Sequence, residues 1–448
     1  MMPSPLVASF LAATATMAGT AVYVLYKTRG YVCTTSMLLG FLLLFYGPAY
    51  LLYVLHYNVS SVVFRQMTRS PYFEDGVMSL NFSIAIMYCG CIAGIELADR
   101  IAARRRASLA VALKNWGATP LAGNRQVVAL LIAINLILSV YMIGVSIYED
   151  HVGVILGFFN AGDTAAARDE FRLHFSGTRI YWYRTIVAST APFFLIWGIL
   201  EGWVNGSRLL LASSFLLLLL TLLGRVEMLS RAPVAFIILQ FVLAAAFCFR
   251  NRITWQIALL GSGGAIAIFY PLIELTIPET ARNGTALSFF FRRAFFGSDE
   301  ALLEFFSAVP YYLSHTWGAN IRPLAWLTGV DFRPLYIDVS FLWRGESGSI
   351  SNAMFIADAW ADFSWPGVIT ASVLVGMLCR AVDLTVLASG KSAMTVAVLA
   401  SMFGAILTLM ISSAQTAMLS GGLLSVPLLA LGVSWLASRA GERRHGTG

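Results

Sequence analysis

The chain has 448 residues, 58% hydrophobic and only 12% charged, with a mean hydropathy of +0.76. Soluble domains carry about 25% charged residues, so a water-soluble globular core is excluded. The net charge of +7 reads as surplus Lys and Arg in cytoplasmic loops rather than as a nucleic-acid surface.

Runs of about 20 apolar residues, enough to cross ~30 Å of hydrocarbon, recur from end to end. They predict an all-α, polytopic integral membrane protein forming one membrane domain, 1–448. About eleven spans (ten to twelve) are expected, at 5–26, 32–55, 78–97, 127–147, 185–203, 209–223, 233–249, 253–275, 366–386, 393–411 and 419–437. The first has no basic residue before it and reads as an uncleaved span. The sixth is short and lies between Arg208 and Arg225, whose stems can snorkel to the two interfaces. Cys33, Cys89, Cys91, Cys248 and Cys379 fall in or beside apolar runs and read as small hydrophobes.

Orientation follows the basic loops. Arg100, Arg104, Arg105, Arg106 and Lys114 crowd the connection 98–126, the strongest cytoplasmic signal. Counting outward from it, Lys27, Arg29, Arg208, Arg250, Arg252, Lys391, Arg439, Arg443 and Arg444 all fall inside. The N-terminus and three long connections, 56–77, 148–184 and 276–365, then face out. Long, residue-rich outer loops point to an extracytoplasmic active face.

In the first outer loop, Glu74-Asp75 is the one seed for a metal site, read first as a pair of solvated acids. No metal-binding or Gly-rich phosphate motif is present, and no metal or cofactor is expected. In 148–184, residues 164–175 read as a short helix that Thr164 caps, with Arg168 and Arg172 on one face. A surface-lying amphipathic helix and direct substrate contact by Arg172 or Arg179 both remain open.

Arg231 lies at the mouth of the seventh span, just before Pro233, a residue suited to a first helical turn. A charge there is costly unless it meets water or a ligand, and an anionic headgroup or diphosphate fits. In 276–365, Arg282 lies in a turn-like stretch, and Arg292-Arg293 sit inside the aromatic run 288–296. Such a run suits a headgroup anchor, and its guanidinia equally suit a diphosphate clamp. His315, Tyr311, Tyr312, Trp317, Arg322, Asp331, Arg333, Asp338, Arg344 and Glu346 follow. Exposed rings with polar neighbours suit sugars. Asp358 and Asp362, four apart, share a helix face ahead of the Pro366-Gly367 break, where acids also complement a helix dipole.

Leu229-Ser230-Arg231-Ala232 and the segment Ala357-Asp358-Ala359-Trp360-Ala361-Asp362-Phe363-Ser364-Trp365-Pro366-Gly367 together resemble the O-antigen polymerase and O-antigen ligase superfamily. The usual pattern of the second element is acid-Ala-Tyr-x-Asn-Phe-Gly-x-x-Gly. Trp360 stands for its Tyr, Asp362 for its Asn and Ser364 for its first Gly. The resemblance implies a GT-C-like, metal-independent glycosyltransferase in a bacterial inner membrane, active at the periplasmic face. Its substrate would be an undecaprenyl-diphosphate-linked oligosaccharide, its setting the lipid bilayer, and a further partner a chain-length regulator protein. Growing chains would be transferred en bloc to the incoming repeat unit, building O-antigen or a related surface polysaccharide. The ligase relatives carry a His-rich element before the late span. Ser351-Asn352 lies there instead, which favours polymerase. The chemistry then assigns Arg231, Asp358 and His315 to catalysis, and Arg292, Arg293, Arg282, Arg172 and Arg225 to the diphosphate.

Two rivals stand beside this reading. A flippase or other transporter of lipid-linked sugars needs broken helices or charges at mid-membrane depth. Another lipid-phosphosugar glycosyltransferase would make Glu74-Asp75 essential.

Overall fold

The computed structural model describes residues 4–57, 61–102, 108–148, 178–227, 232–249, 296–345, 351 and 353–445, with single positions 252, 263, 264, 267, 270 and 285. Among these residues no strand forms, and the chain is an array of α-helices. In chain order they are α1 (Pro5–Thr28), α2 (Thr34–Tyr46), α3 (Pro48–Leu52), α4 (Val62–Met67), α5 (Phe73–Ile101), α6 (Leu109–Ala118), α7 (Arg125–Tyr148), α8 (Thr178–Thr185), α9 (Ala191–Asn205), α10 (Arg208–Glu227) and α11 (Ala232–Phe249). After these come α12 (Gly297–Ala308), α13 (Arg322–Thr328), α14 (Leu335–Arg344), α15 (Phe355–Ser389), α16 (Ala393–Ile411), α17 (Ala414–Met418) and α18 (Ser425–His445).

Among the described residues, seven helical segments are long and apolar enough to cross a membrane: Pro5–Thr28, Thr34–Leu55, Phe73–Ile101, Arg125–Tyr148, Trp182–Asn205, Phe355–Ser389 and Ala393–Ile411. They overlap the predicted spans one to five, nine and ten. The sixth and seventh are shorter apolar helices, Arg208–Gly224 and Phe236–Phe249. The eighth, 253–275, lies outside the described residues apart from single positions. The eleventh forms a helix that starts later than expected, at Ser425. A tight turn with Gly422 at φ +96° precedes it.

The chain, read from sequence as one membrane domain, divides into two compact units. The first comprises 1–110, 252–381 and 409–415, and the second 111–251, 382–408 and 416–448.

In the first unit, Ser4 caps α1 through Val7 N and Pro5 fills its first position. Small residues set the crossing of α5 with α15. A Cβ on Gly90 would meet Ser372, one on Gly94 would meet the Val373 carbonyl, and one on Gly376 would meet Cys91 backbone. The spacing is small-x-x-x-small on both helices, Gly90 with Gly94 and Ser372 with Gly376, which lets backbones touch where lipid offers no hydrophobic drive. One end of this crossing is tied by charge. Lys27 Nζ lies 2.5 Å from Glu96 and 2.9 Å from Asp99, and Arg380 Nη2 lies 2.8 Å from Asp99. The Tyr23 hydroxyl donates to Glu96 at 2.6 Å. Glu96 and Asp99, three residues apart on α5, thus form a network that brings α1 and α15 to α5.

The expected large outer loop, 276–365, is largely folded where it is described. It contains α12, α13, α14 and the start of α15. Leu302, Phe305, Phe306, Ala325, Leu335, Val339 and Trp343 are among its buried apolar residues. Leu335, Val339 and Trp343 recur every four residues, so α14 buries one face. Helices this short escape a hydropathy window tuned to spans. The loop 148–184 lies outside the described residues up to 177, including the helix expected at 164–175, and from 178 it enters α8.

In the second unit, α7, α9 and α10 pack closely around small and polar residues. Asn135 Nδ2 donates to Ser214 Oγ at 3.0 Å, and Gly198 leaves room for both side chains. Buried Glu201 accepts from Asn124 N, Asn205 Nδ2 and Trp197 Nε1. Buried Lys391 donates to the Gly117 carbonyl at 3.1 Å and the Cys248 carbonyl at 2.9 Å, so one ammonium closes the ends of two helices. Its burial holds the lysine below the usual ammonium range.

Candidate functional site

The site is organised by a break in α15. Ser364 sits at φ +54°, ψ −143°, far from helical values, and Pro366 follows. Proline cannot donate to the carbonyl four residues back, and it disfavours helical geometry in the residue before it. The carbonyls of Trp360, Ala361 and Asp362 therefore need other donors. The loop after α12 supplies them. His315 Nδ1 lies 3.0 Å from Trp360 O and 3.3 Å from Ala361 O. Thr316 N donates to Ala361 O and Trp317 N to Asp362 O, each at 3.1 Å.

These acceptors assign the tautomer of His315. Carbonyl oxygen cannot donate, so Nδ1 carries a hydrogen, and in the neutral ring the lone pair lies on Nε2. Among the described residues Nε2 has no hydrogen-bond partner. The ring is half-buried and is held edge-on to Trp360, 5.7 Å between centroids.

The two carboxylates four residues apart do share a helix, as the spacing predicted, but their surroundings differ. Asp362 is fully buried. Its Oδ1 accepts from Thr316 Oγ1, from Gly318 N at 3.0 Å and from Asn320 N at 3.4 Å, while Oδ2 has no partner among the described residues. It shapes the turn 316–320, where Gly318 takes φ +97°. Asp358 is half-buried. Its Oδ1 accepts from Asn320 Nδ2 at 2.6 Å, and its Oδ2 is unengaged among the described residues.

Asn320 joins these parts. Its Oδ1 accepts from Leu335 N at 3.1 Å, and its carbonyl lies 3.5 Å from Gln415 Nε2. The amide orientation is therefore fixed from both ends. Sequence reading passed over Asn320 and Thr316. Their one signal is turn chemistry, a Gly and an Asn two apart, which marks a loop and not a site.

Aromatic residues wall the break. Trp360 stacks on Phe306 at 4.9 Å, meets Trp365 edge-on at 4.9 Å, and donates Nε1 to Val309 O. It is buried, so it packs the site and does not face a ligand. Tyr311 stacks on Tyr72 at 4.8 Å and Tyr312 bonds Ser70, so these rings hold the turn before α5 against the loop after α12. Trp317 is 70% exposed, with its ring edge-on to His315 at 6.1 Å. Glu304, fully buried, accepts from Arg344 Nη2 at 2.7 Å and from Ser351 Oγ. Burial pushes its carboxyl above the usual range, and Arg344 opposes the shift.

His315 and Asp358 are thus brought to one loop and one helix turn of the first unit. Arg172, Arg231, Arg282, Arg292 and Arg293 lie outside the described residues, and Arg225 is described only as backbone near the end of α10. Glu74 and Asp75 are exposed in the first turn of α5, where they complement its dipole.

The position of the break along the helix also matters. Beyond Ser364, α15 continues to Ser389. That stretch of roughly 25 residues spans about 37 Å of helix, enough to cross a bilayer unaided. The break therefore lies at the end of a full span and not at its middle. No family model matches this chain, and neither a curated protein nor a solved structure is significantly similar to it.

Proposed function

We propose that this chain polymerises undecaprenyl-diphosphate-linked oligosaccharide repeat units at the periplasmic face of a bacterial inner membrane. In this reading it has about eleven spans, a GT-C-like architecture and no metal requirement. The observation that carries the reading is the break at the end of the α15 span. It gathers His315, with Nδ1 engaged and Nε2 unpartnered among the described residues, and the half-buried Asp358 carboxylate at one end of that span, where in this reading a lipid-linked sugar emerges. Ser364 adds support. It occupies the backbone region that favours glycine, at the position where the resembling pattern carries Gly.

In the reaction, the acceptor sugar hydroxyl attacks the anomeric carbon of the growing chain. The bond from that carbon to the diphosphate oxygen breaks, and lipid diphosphate leaves with the electron pair. The hydroxyl proton passes to a base, for which His315 Nε2 and Asp358 Oδ2 are the available groups. The developing charge on the diphosphate calls for arginines, and Arg231 with Arg292 or Arg293 takes that role, with Arg172, Arg225 and Arg282 as further contacts.

The test is the polymer made by a strain whose own copy is replaced by variants. Arg231→Ala, His315→Ala and Asp358→Asn should each stop the product at a single repeat while protein level stays normal. Wild-type chain lengths in all three would remove the reading. A second reading, export of lipid-linked sugars, draws on the same helix break, since transporters use discontinuous helices. It places such breaks near mid-membrane, which the long stretch after Ser364 argues against. A deletion strain that accumulates lipid-linked repeats inside the cell, rather than single-repeat product outside, would favour export.

A further inference from the structure

We infer that α13 and the turn after it form an interfacial anchor that lies in the phosphate-bearing surface of the bilayer beside the α15 break. Three observations carry this. First, the segment is apolar and uncovered: Trp326 is 81% exposed, Leu327 72% and Val330 54%. With seven residues, α13 is far too short to span. An exposed apolar cluster on a non-spanning element suits the headgroup and acyl boundary, where tryptophan is enriched.

Second, its other side is spoken for. Ala325 is buried, and the turn is closed by Val330 N bonding Ala325 O and Arg333 N bonding Ala319 O. The exposed cluster is therefore presented by a fixed scaffold. Third, the charge pattern selects the occupant. Arg333 is paired with Asp338 at 2.8 Å and Arg344 with Glu304 at 2.7 Å. Arg322, one helical turn before Trp326, is exposed and has no acid partner among the described residues. Its guanidinium lies 4.7 Å above the Phe332 ring. Phosphate is the complement of a free guanidinium beside apolar rings. A second copy docked on a two-fold axis would bring Asp331 as well as another Arg322, so pairing of two copies is the rival outcome that the test below separates. The consequence is positional: Asn320, two residues before Arg322, holds Asp358, so the anchor sets the site at the height of the lipid phosphates.

The test uses the full chain, with exposed Cys89 and half-exposed Cys248 changed to Ser, in phosphatidylcholine/phosphatidylglycerol vesicles. Leu327→Cys and Val330→Cys, each carrying a bimane fluorophore, report the environment while Trp326 is kept. We expect doxyl-lipid quenching to exceed iodide quenching by about threefold at both sites. Adding Trp326→Ser or Arg322→Ala should raise iodide access. Iodide quenching equal to that of free fluorophore would overturn the inference. So would nitroxides at the same positions showing dipolar coupling between two copies, since the cover would then be a second chain.

Discussion

Two sets of polar groups, one in each unit, are used in opposite ways. In the second unit, the buried charges of Glu201 and Lys391 are consumed by structure. Glu201 is filled by Asn124, Asn205 and Trp197, Lys391 closes two helix ends, and Asn135 donates to Ser214. In the first, the groups around the α15 break hold one another and still leave a free atom each. Asn320 takes one oxygen of Asp358, the Trp360 and Ala361 carbonyls take one nitrogen of His315, and the other oxygen and nitrogen stay open. A satisfied buried network stabilises, while one that leaves oriented acceptors unused is prepared for a ligand. Burial of charge alone would not separate these cases. The difference lies in what remains unspent.

Chemistry at the open groups should show the largest effect. Asp358→Asn and His315→Ala should lower polymer formation by about 10²–10⁴, the usual share of a general base or its orienting partner. The melting temperature of Asp358→Asn in detergent should stay near that of the parent, while His315→Ala, which strips the Trp360 carbonyl of its donor, should also lose about 1–3 kcal/mol of stability. Glu201→Gln should behave the other way, keeping activity and costing a little stability. Equal loss of activity in Glu201→Gln and Asp358→Asn would dissolve the contrast between the units.

Asn320 sharpens the comparison at an intermediate scale. Asn320→Ala removes the donor to Asp358 and leaves Leu335 N without its acceptor in a buried place. Each such orphan costs about 1–3 kcal/mol, so the variant should unfold clearly earlier in a thermal scan. Glu201→Ala likewise strips buried Trp197 Nε1 of its acceptor and should cost a similar amount or slightly less. The two differ in activity per folded molecule, which should fall only in Asn320→Ala. Preserved activity there would mean that Asp358 needs no orientation.

The extent to which this was readable beforehand follows from length scales. Apolar runs of bilayer length announce themselves, and the seven long helices fall where hydropathy put them. The pairing of Asp358 with Asp362 on one face, and the interruption near Pro366, were legible because four-residue spacing and proline are local signals. The folded region 296–345 was not, because α13 and α14 are too short to register as spans and were read as loop. Nor was Asn320 legible. Its bonds reach residues 15, 38 and 42 positions away, and no local pattern encodes such partners. The same holds for Glu304, whose partner Arg344 lies 40 residues on.

Glu304 offers the smallest effect, and it probes the closed side of the first unit. Its carboxyl is fully buried, and burial lifts it above the ordinary 4.5 against the pull of Arg344 and Ser351. The folded chain then binds the proton more tightly than the unfolded chain does. Stability from this group is fully present below pH 4.5 and is lost as pH rises through the raised folded value. Glu304→Gln keeps the shape and does not titrate. The melting temperature of the variant minus that of the parent should therefore climb as pH rises from 4.5 and level off above the folded value. Asp299, also buried and also pushed up, is present in both proteins and cancels in the difference. A difference that stays flat from pH 4.5 to 7, or falls, would mean that the ion pair with Arg344 outweighs burial and that Glu304 is ionised throughout.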